Sequence, residues 1–76
     1  MRVIGEVTHP ACKITLFAWN QKYLIKLEQG PCEQTFKVSE FDVASEADLR
    51  ARLTPEFIDK ALARFRAMHE DLALLI

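Results

Sequence analysis

Between Cys12 and Glu28 apolar and polar side chains alternate, and the phase of the alternation changes across Asn20-Gln21. A period of two places successive side chains on opposite faces of an extended chain. The runs Cys12-Lys13-Ile14-Thr15-Leu16-Phe17-Ala18-Trp19 and Tyr23-Leu24-Ile25-Lys26-Leu27-Glu28 are also rich in the β-branched and aromatic residues that favour strands. A two-residue turn at Asn20-Gln21 pairs Trp19 with Lys22, Phe17 with Leu24, Thr15 with Lys26 and Lys13 with Glu28. Ile14, Leu16 and Ala18 then gather with Leu27, Ile25 and Tyr23 on one face. A slip of one residue would turn a strand's whole apolar set out to water, so this pattern fixes the hairpin register.

The same facing rule extends the sheet in both directions. Gly30-Pro31 signals a reversal into Glu33-Gln34-Thr35-Phe36-Lys37-Val38, which sets Phe36 beside Ile25 and Val38 beside Tyr23. That register also places Glu28 opposite Glu33, a like-charge pair. Upstream, Val3–Val7 pairs with Cys12–Leu16 across the loop Thr8-His9-Pro10-Ala11, with Val3, Gly5 and Val7 on the core face. The expected product is a four-stranded antiparallel β-meander over residues of about 2–38.

From Ser45 onward the apolar spacing changes to three and four residues, the period of a helix. Ser45-Glu46-Ala47-Asp48 has the form of a capping box, in which a hydroxyl accepts from an orphan N–H and a carboxylate reaches back to the cap. A short helix follows over about 46–53. Thr54-Pro55-Glu56 is a second start, with Thr54 as N-cap and Pro55 where its missing N–H does no harm. Phe57, Ile58, Ala61, Leu62, Phe65, Met68, Leu72 and Leu75 then form one stripe, so a helix over about 55–75 is predicted to cover one face of the sheet. Asp59, Lys60, Arg64, Arg66, Glu70 and Asp71 take its solvated side. Phe41 and Val43, in the linker, fit either a strand end or a first helical turn. The class is α+β.

A chain of 76 residues has room for one core, and so for a single domain, 1–76. Domains this small retain only a few kcal/mol of net stability, which keeps a homodimer in view. Ten Lys and Arg against eleven Asp and Glu give a net charge of -1, too little to gather polyanions or acidic membranes. Met1-Arg2-Val3-Ile4-Gly5-Glu6 breaks its apolar run too soon for a signal-peptide core, and no stretch approaches the ~20 apolar residues of a membrane span. A cytoplasmic location is the expectation, with Cys12 and Cys32 as free thiols.

His9, Cys12, Cys32 and His69 offer two imidazoles and two thiols, the donor set of a zinc or thiol-using protein. Their spacing argues against a metal: only His9-x-x-Cys12 forms a close pair. Neither cysteine has a base beside it in sequence, Glu28 and Glu33 both fall on a solvated face, and no Gly-rich phosphate loop, nucleophile elbow or His-Glu-x-x-His is present. No cofactor or catalytic residue is called for. The more informative surface is the outer sheet face, where the alternation leaves Ile4, Phe17, Trp19 and Leu24 with Lys13, Lys22, Lys26 and Lys37 around them. An apolar centre with a charged rim is the pattern of a protein-binding patch. The blander account is that lysine stems, or the linker around Phe41, cover those side chains. The same aromatics and lysines could stack and hold a single-stranded nucleic acid, although no RNA-recognition strand motif is present.

The segments His9–Asn20, Lys22-Tyr23 and Glu33–Lys37 resemble a family of small uncharacterised bacterial proteins, over most of the chain. That resemblance implies a free-standing bacterial cytoplasmic protein and brings no activity, cofactor or site residue with it. The expectation is a non-enzymatic interaction module that binds another protein, or its own copy, through the outer face at Ile4, Phe17, Trp19, Leu24, Lys22 and Lys26.

Overall fold

The computed structural model describes residues 1–76. Four strands, β1 (Arg2–Thr8), β2 (Lys13–Trp19), β3 (Lys22–Gln29) and β4 (Cys32–Ser39), precede two helices, α1 (Glu46–Ala51) and α2 (Pro55–Ala73). The strands lie side by side in chain order as one antiparallel sheet, the α+β arrangement that the change of period predicts.

The central hairpin has the expected register, with Trp19 opposite Lys22, Phe17 opposite Leu24 and Ile14 opposite Leu27. Its turn residues have φ of 53° at Asn20 and 62° at Gln21. Two successive positive values are what a two-residue type I′ turn demands, because its twist matches that of the strands. Asn tolerates the left-handed region, whereas Gln21 sits there against a steric cost of about 1 kcal/mol. At the next turn Gly30 has φ of 58° and Pro31 follows it, so the glycine supplies the positive φ and the proline ring the negative one. Phe36 faces Ile25 and Val38 faces Tyr23, as expected. Glu28 does stand opposite Glu33. The repulsion is offset locally: Lys26 Nζ reaches Glu33 Oε2 at 3.3 Å, and Lys13 stands opposite Glu28 on the other side.

Strand β1 departs from the expectation in two ways. Thr8 pairs with Lys13 and Val7 with Ile14, so the strand sits two residues further along and the loop is His9–Cys12. The pairing then jumps from Gly5 opposite Leu16 to Val3 opposite Phe17, leaving Ile4 as the extra residue of a bulge. A bulge inverts the facing of everything beyond it. Val3 therefore moves to the outer face beside Phe17, while Ile4 packs against the core.

The core lies between the sheet and the helices. Ile14, Leu16, Ile25 and Leu27 meet Val43, Leu49, Ile58, Ala61 and Phe65, and Phe65 at its centre is fully buried. Helix α2 runs antiparallel to β4. Phe57 meets Phe36 with ring centroids 5.3 Å apart, Gln34 Nε2 donates to the Ala61 carbonyl at 2.9 Å, and His69 lies over Cys32. The absence of bulk at Ala61 lets the helix backbone come within hydrogen-bond range of a strand side chain. Arg64 is exposed, as its place on the solvated side predicts, and from there it reaches back to β4. Its Nε donates to Gln34 Oε1 at 2.8 Å and its guanidinium lies 5.7 Å from the Phe36 ring centroid.

Thr54 caps α2 by accepting from Phe57 N–H at 3.3 Å, with Pro55 in the first turn. The helix ends at Ala73, and Leu75 at the predicted end of the stripe is exposed. Ser45 caps α1 by accepting from Asp48 N–H at 3.1 Å. The return bond differs from the predicted box, for Asp48 Oδ2 accepts from Ala44 N–H at 2.9 Å rather than from the cap itself. Arg52 Nη2 meets the same oxygen at 3.1 Å. These bonds hold the Asp48 carboxyl below the usual carboxylate range, the Ala44 N–H foremost. The linker is neither strand nor helix: Val43 is buried, while Phe41 remains 80% exposed. No helix is long and apolar enough to cross a membrane.

Candidate interaction face and a thiol cluster

The helix-free face of the sheet is laid out in rows by the strand register. One row is Val3, Phe17, Leu24 and Lys37; next to it, at the Asn20-Gln21 end, Trp19 lies beside Lys22. Toward the other end follow Glu6, Thr15, Lys26 and Thr35, and then Thr8, Lys13, Glu28 and Glu33. Apolar side chains thus collect toward one end and mixed charge toward the other.

Burial corrects two of the residues assigned to this face. Ile4 is not on it, because the bulge turns that side chain inward and exchanges it for Val3, which is 59% exposed. Leu24 is on it but only 6% exposed. Phe17 and Lys37 flank Leu24 across the sheet, Lys22 and Lys26 flank it along the strand, and Met1 lines the same shallow dent with Phe17 and Lys26. Long side chains surround Leu24 on every side, the kind of neighbour that can cover an apolar residue on a sheet face. Trp19 remains 49% exposed, Phe17 is partly buried, and Phe41 does not fold back over either. Lys22 is exposed, whereas Lys26 is engaged with Glu33. Glu6, Glu28 and Glu33 share the face with the lysines, so the positive charge forms no continuous track for phosphates.

The four candidate metal or thiol residues separate into two places. His9 is in the β1–β2 loop, where its Nδ1 accepts from Ala11 N–H at 3.0 Å. Cys32 Sγ and His69 Nδ1 lie 3.7 Å apart, although 37 positions separate them in the chain. His69 Nε2 is 2.9 Å from Gln29 Oε1, and Gln29 Nε2 donates to the Ala11 carbonyl at 2.9 Å. Cys12 is buried with no such partner, and burial pushes its thiol pKa up. Both cysteines are free, and no three His, Cys, Asp or Glu side chains come together as a metal site would need. The pairing of Cys32 with His69 is the feature sequence reasoning missed. It depends on the rotational phase of α2 over the first residue of β4, for which short-range spacing carries no signal. Gln29, opposite Cys32 across the turn, could have been singled out as a polar residue at a core-facing position.

Comparison of the chain with family models, with curated proteins and with solved structures gives no match.

Proposed function

We propose that this protein is a small cytoplasmic self-association module of a bacterial cell, whose helix-free sheet face docks on the same face of a second copy. The observation that carries the reading is the pairing across the central hairpin. Phe17 faces Leu24, Trp19 faces Lys22 and Lys13 faces Glu28, and each pair is complementary in chemistry. A two-fold axis running along the strands, midway between β2 and β3, sets β2 of one copy over β3 of the other and keeps the rows level. Every in-sheet pair is then repeated between copies: ring on aliphatic, indole beside ammonium, ammonium beside carboxylate. Two sheets packed face to face keep their strands within about 30° of each other, as this axis requires. Exposed Trp19 and Val3 gain the most burial, with Phe17 between them. A small core with little stability to spare supplies the motive for association.

Light scattering coupled to gel filtration tests it. A wild-type mass of twice 8.7 kDa is expected, with the variant Phe17→Ala/Trp19→Ala at 8.7 kDa and still folded by circular dichroism. Lys13→Glu and Glu28→Lys should each weaken the dimer, and their combination should restore it. A wild type that stays at the single-chain mass at about 100 μM, well above the dissociation constants of stable dimers, overturns the proposal.

A further inference from the structure

The hydrogen bonds around His69 fix which of its nitrogens bears the proton. The Ala11 carbonyl can only accept, so the group that meets it at 2.9 Å is the Gln29 NH2. Gln29 therefore turns its Oε1 to His69, and Oε1 can only accept as well. His69 Nε2 must donate across the 2.9 Å between them, which leaves the Nδ1 lone pair of the neutral ring facing Cys32 Sγ at 3.7 Å. A thiol, an imidazole lone pair aimed at it, and an amide that orients the imidazole are the three parts of a base-activated nucleophile. A groove of about 310 Å³ is lined by Cys32, with Pro31, Met68, Leu72 and Leu75 as apolar walls and Glu33 and Asp71 at its edge. Two carboxylates disfavour an anionic reactant there, and only 9% of Cys32 is exposed, so the reactant must be small and uncharged.

We propose that Cys32 is a His69-activated thiol that reacts with small neutral hydroperoxides. A sulfur lone pair attacks the terminal peroxide oxygen while His69 Nδ1 takes the thiol proton. The S–O bond forms as the O–O bond breaks, and the proton on Nδ1 passes to the departing oxygen. A thiol and a hydroperoxide thus become a sulfenic acid and an alcohol, or water when the reactant is hydrogen peroxide. Sulfur is oxidised by two electrons and the peroxide is reduced by two. Cys12 does not resolve this product as a disulfide: it precedes β2, Cys32 begins β4, and β3 lies between. Two strand spacings amount to about 9.5 Å, beyond disulfide reach. Cys32 is the reacting residue, His69 its base and Gln29 a positioning residue.

Hydrogen peroxide is the probe. Reduced full-length protein is treated with it in the presence of dimedone, and the adduct at each cysteine is followed by peptide mass spectrometry. Cys32 should be labelled at least tenfold faster than Cys12, and His69→Ala should slow it by about a hundredfold or more, the lower end of the ~10²–10⁴ that base catalysis supplies. Gln29→Leu should slow it less, with no loss of helicity. An imidazole that merely shields the sulfur predicts the reverse, since its removal would open Cys32 and speed the reaction. Equal rates at the two cysteines, or an unchanged or faster rate in folded His69→Ala, overturns the proposal. Should His69→Ala not fold, Gln29→Leu decides: an unchanged rate there is also fatal to it.

Discussion

The guanidinium of Arg50 lies across Gly5, where a Cβ would occupy its place. From there Nη2 reaches the Ile4 carbonyl at 3.4 Å and Nη1 the Glu6 carbonyl at 3.3 Å. Those carbonyls belong to β1, an edge strand, and edge carbonyls are the groups through which sheets add unwanted strands. A helix side chain thus occupies part of that edge, and glycine at position 5 is the condition for it.

Coupling between these two positions follows. Arg50→Ala should cost about 1 kcal/mol, the net worth of such hydrogen bonds, in a urea melt followed by circular dichroism. Gly5→Ala should be destabilising in the wild type and neutral or stabilising in Arg50→Ala, where only the entropic gain of alanine remains. Additive effects would show that the guanidinium does not need the space above residue 5.

The β2–β3 turn leaves room for improvement. Gln21 has φ of 62° without the freedom of glycine, so Gln21→Gly should raise stability by about 0.5–1 kcal/mol and leave the denaturant slope unchanged. A lower urea midpoint would contradict the strain assigned to that residue.

Phe65 is fully buried between α2 and the sheet. Phe65→Ala should cost about 3–5 kcal/mol, enough to leave a domain of this size largely unfolded at 25 °C. Phe65→Leu, closer in volume, should remain folded with a loss of about 1–2 kcal/mol. Equal melts for the two would place the centre of the core elsewhere.

Asp48 ties stability to acid. Its pKa is lowered in the folded chain, first by the Ala44 N–H and then by Arg52. A depressed carboxylate pKa contributes stability that is complete above its unfolded value, about 4, and is lost as pH falls through the folded one. Asp48→Asn should therefore be less stable than the wild type at pH 7, and the gap should close in acid. A gap that is the same at pH 7 and below pH 3 would sever Asp48 from that limb of the curve.

The hairpin Lys13–Gln29 was legible because two constraints agreed: a two-residue turn fixes register, and alternation fixes facing. The bulge at Ile4 was not legible, because Val3 and Ile4 are both apolar and alternation cannot say which turns inward. Leu24 was assigned correctly to the outer face, but its burial depends on where Phe17, Met1 and the lysine stems lie. His69 was legible only as one of four dispersed candidate metal or thiol residues. Its contact with Cys32 is set by how the helix rotates and slides over β4, a tertiary property settled by Phe57, Ala61 and Phe65 further up the same helix.

Because the four strands pair in chain order while the lid comes from residues 55–73, synthesis delivers the sheet before anything that can shield its inner face. A ribosome adds about 5–20 residues per second, so Ile14, Leu16, Ile25 and Leu27 wait at least a second or two for Phe65 to exist. During that interval the nascent meander is a sheet with one largely apolar face and apolar side chains at one end of the other. The charged end of the sheet at Glu28, Glu33 and Lys26, together with Arg50 once α1 has emerged, is what the growing chain has to keep neighbouring copies from stacking on it out of register.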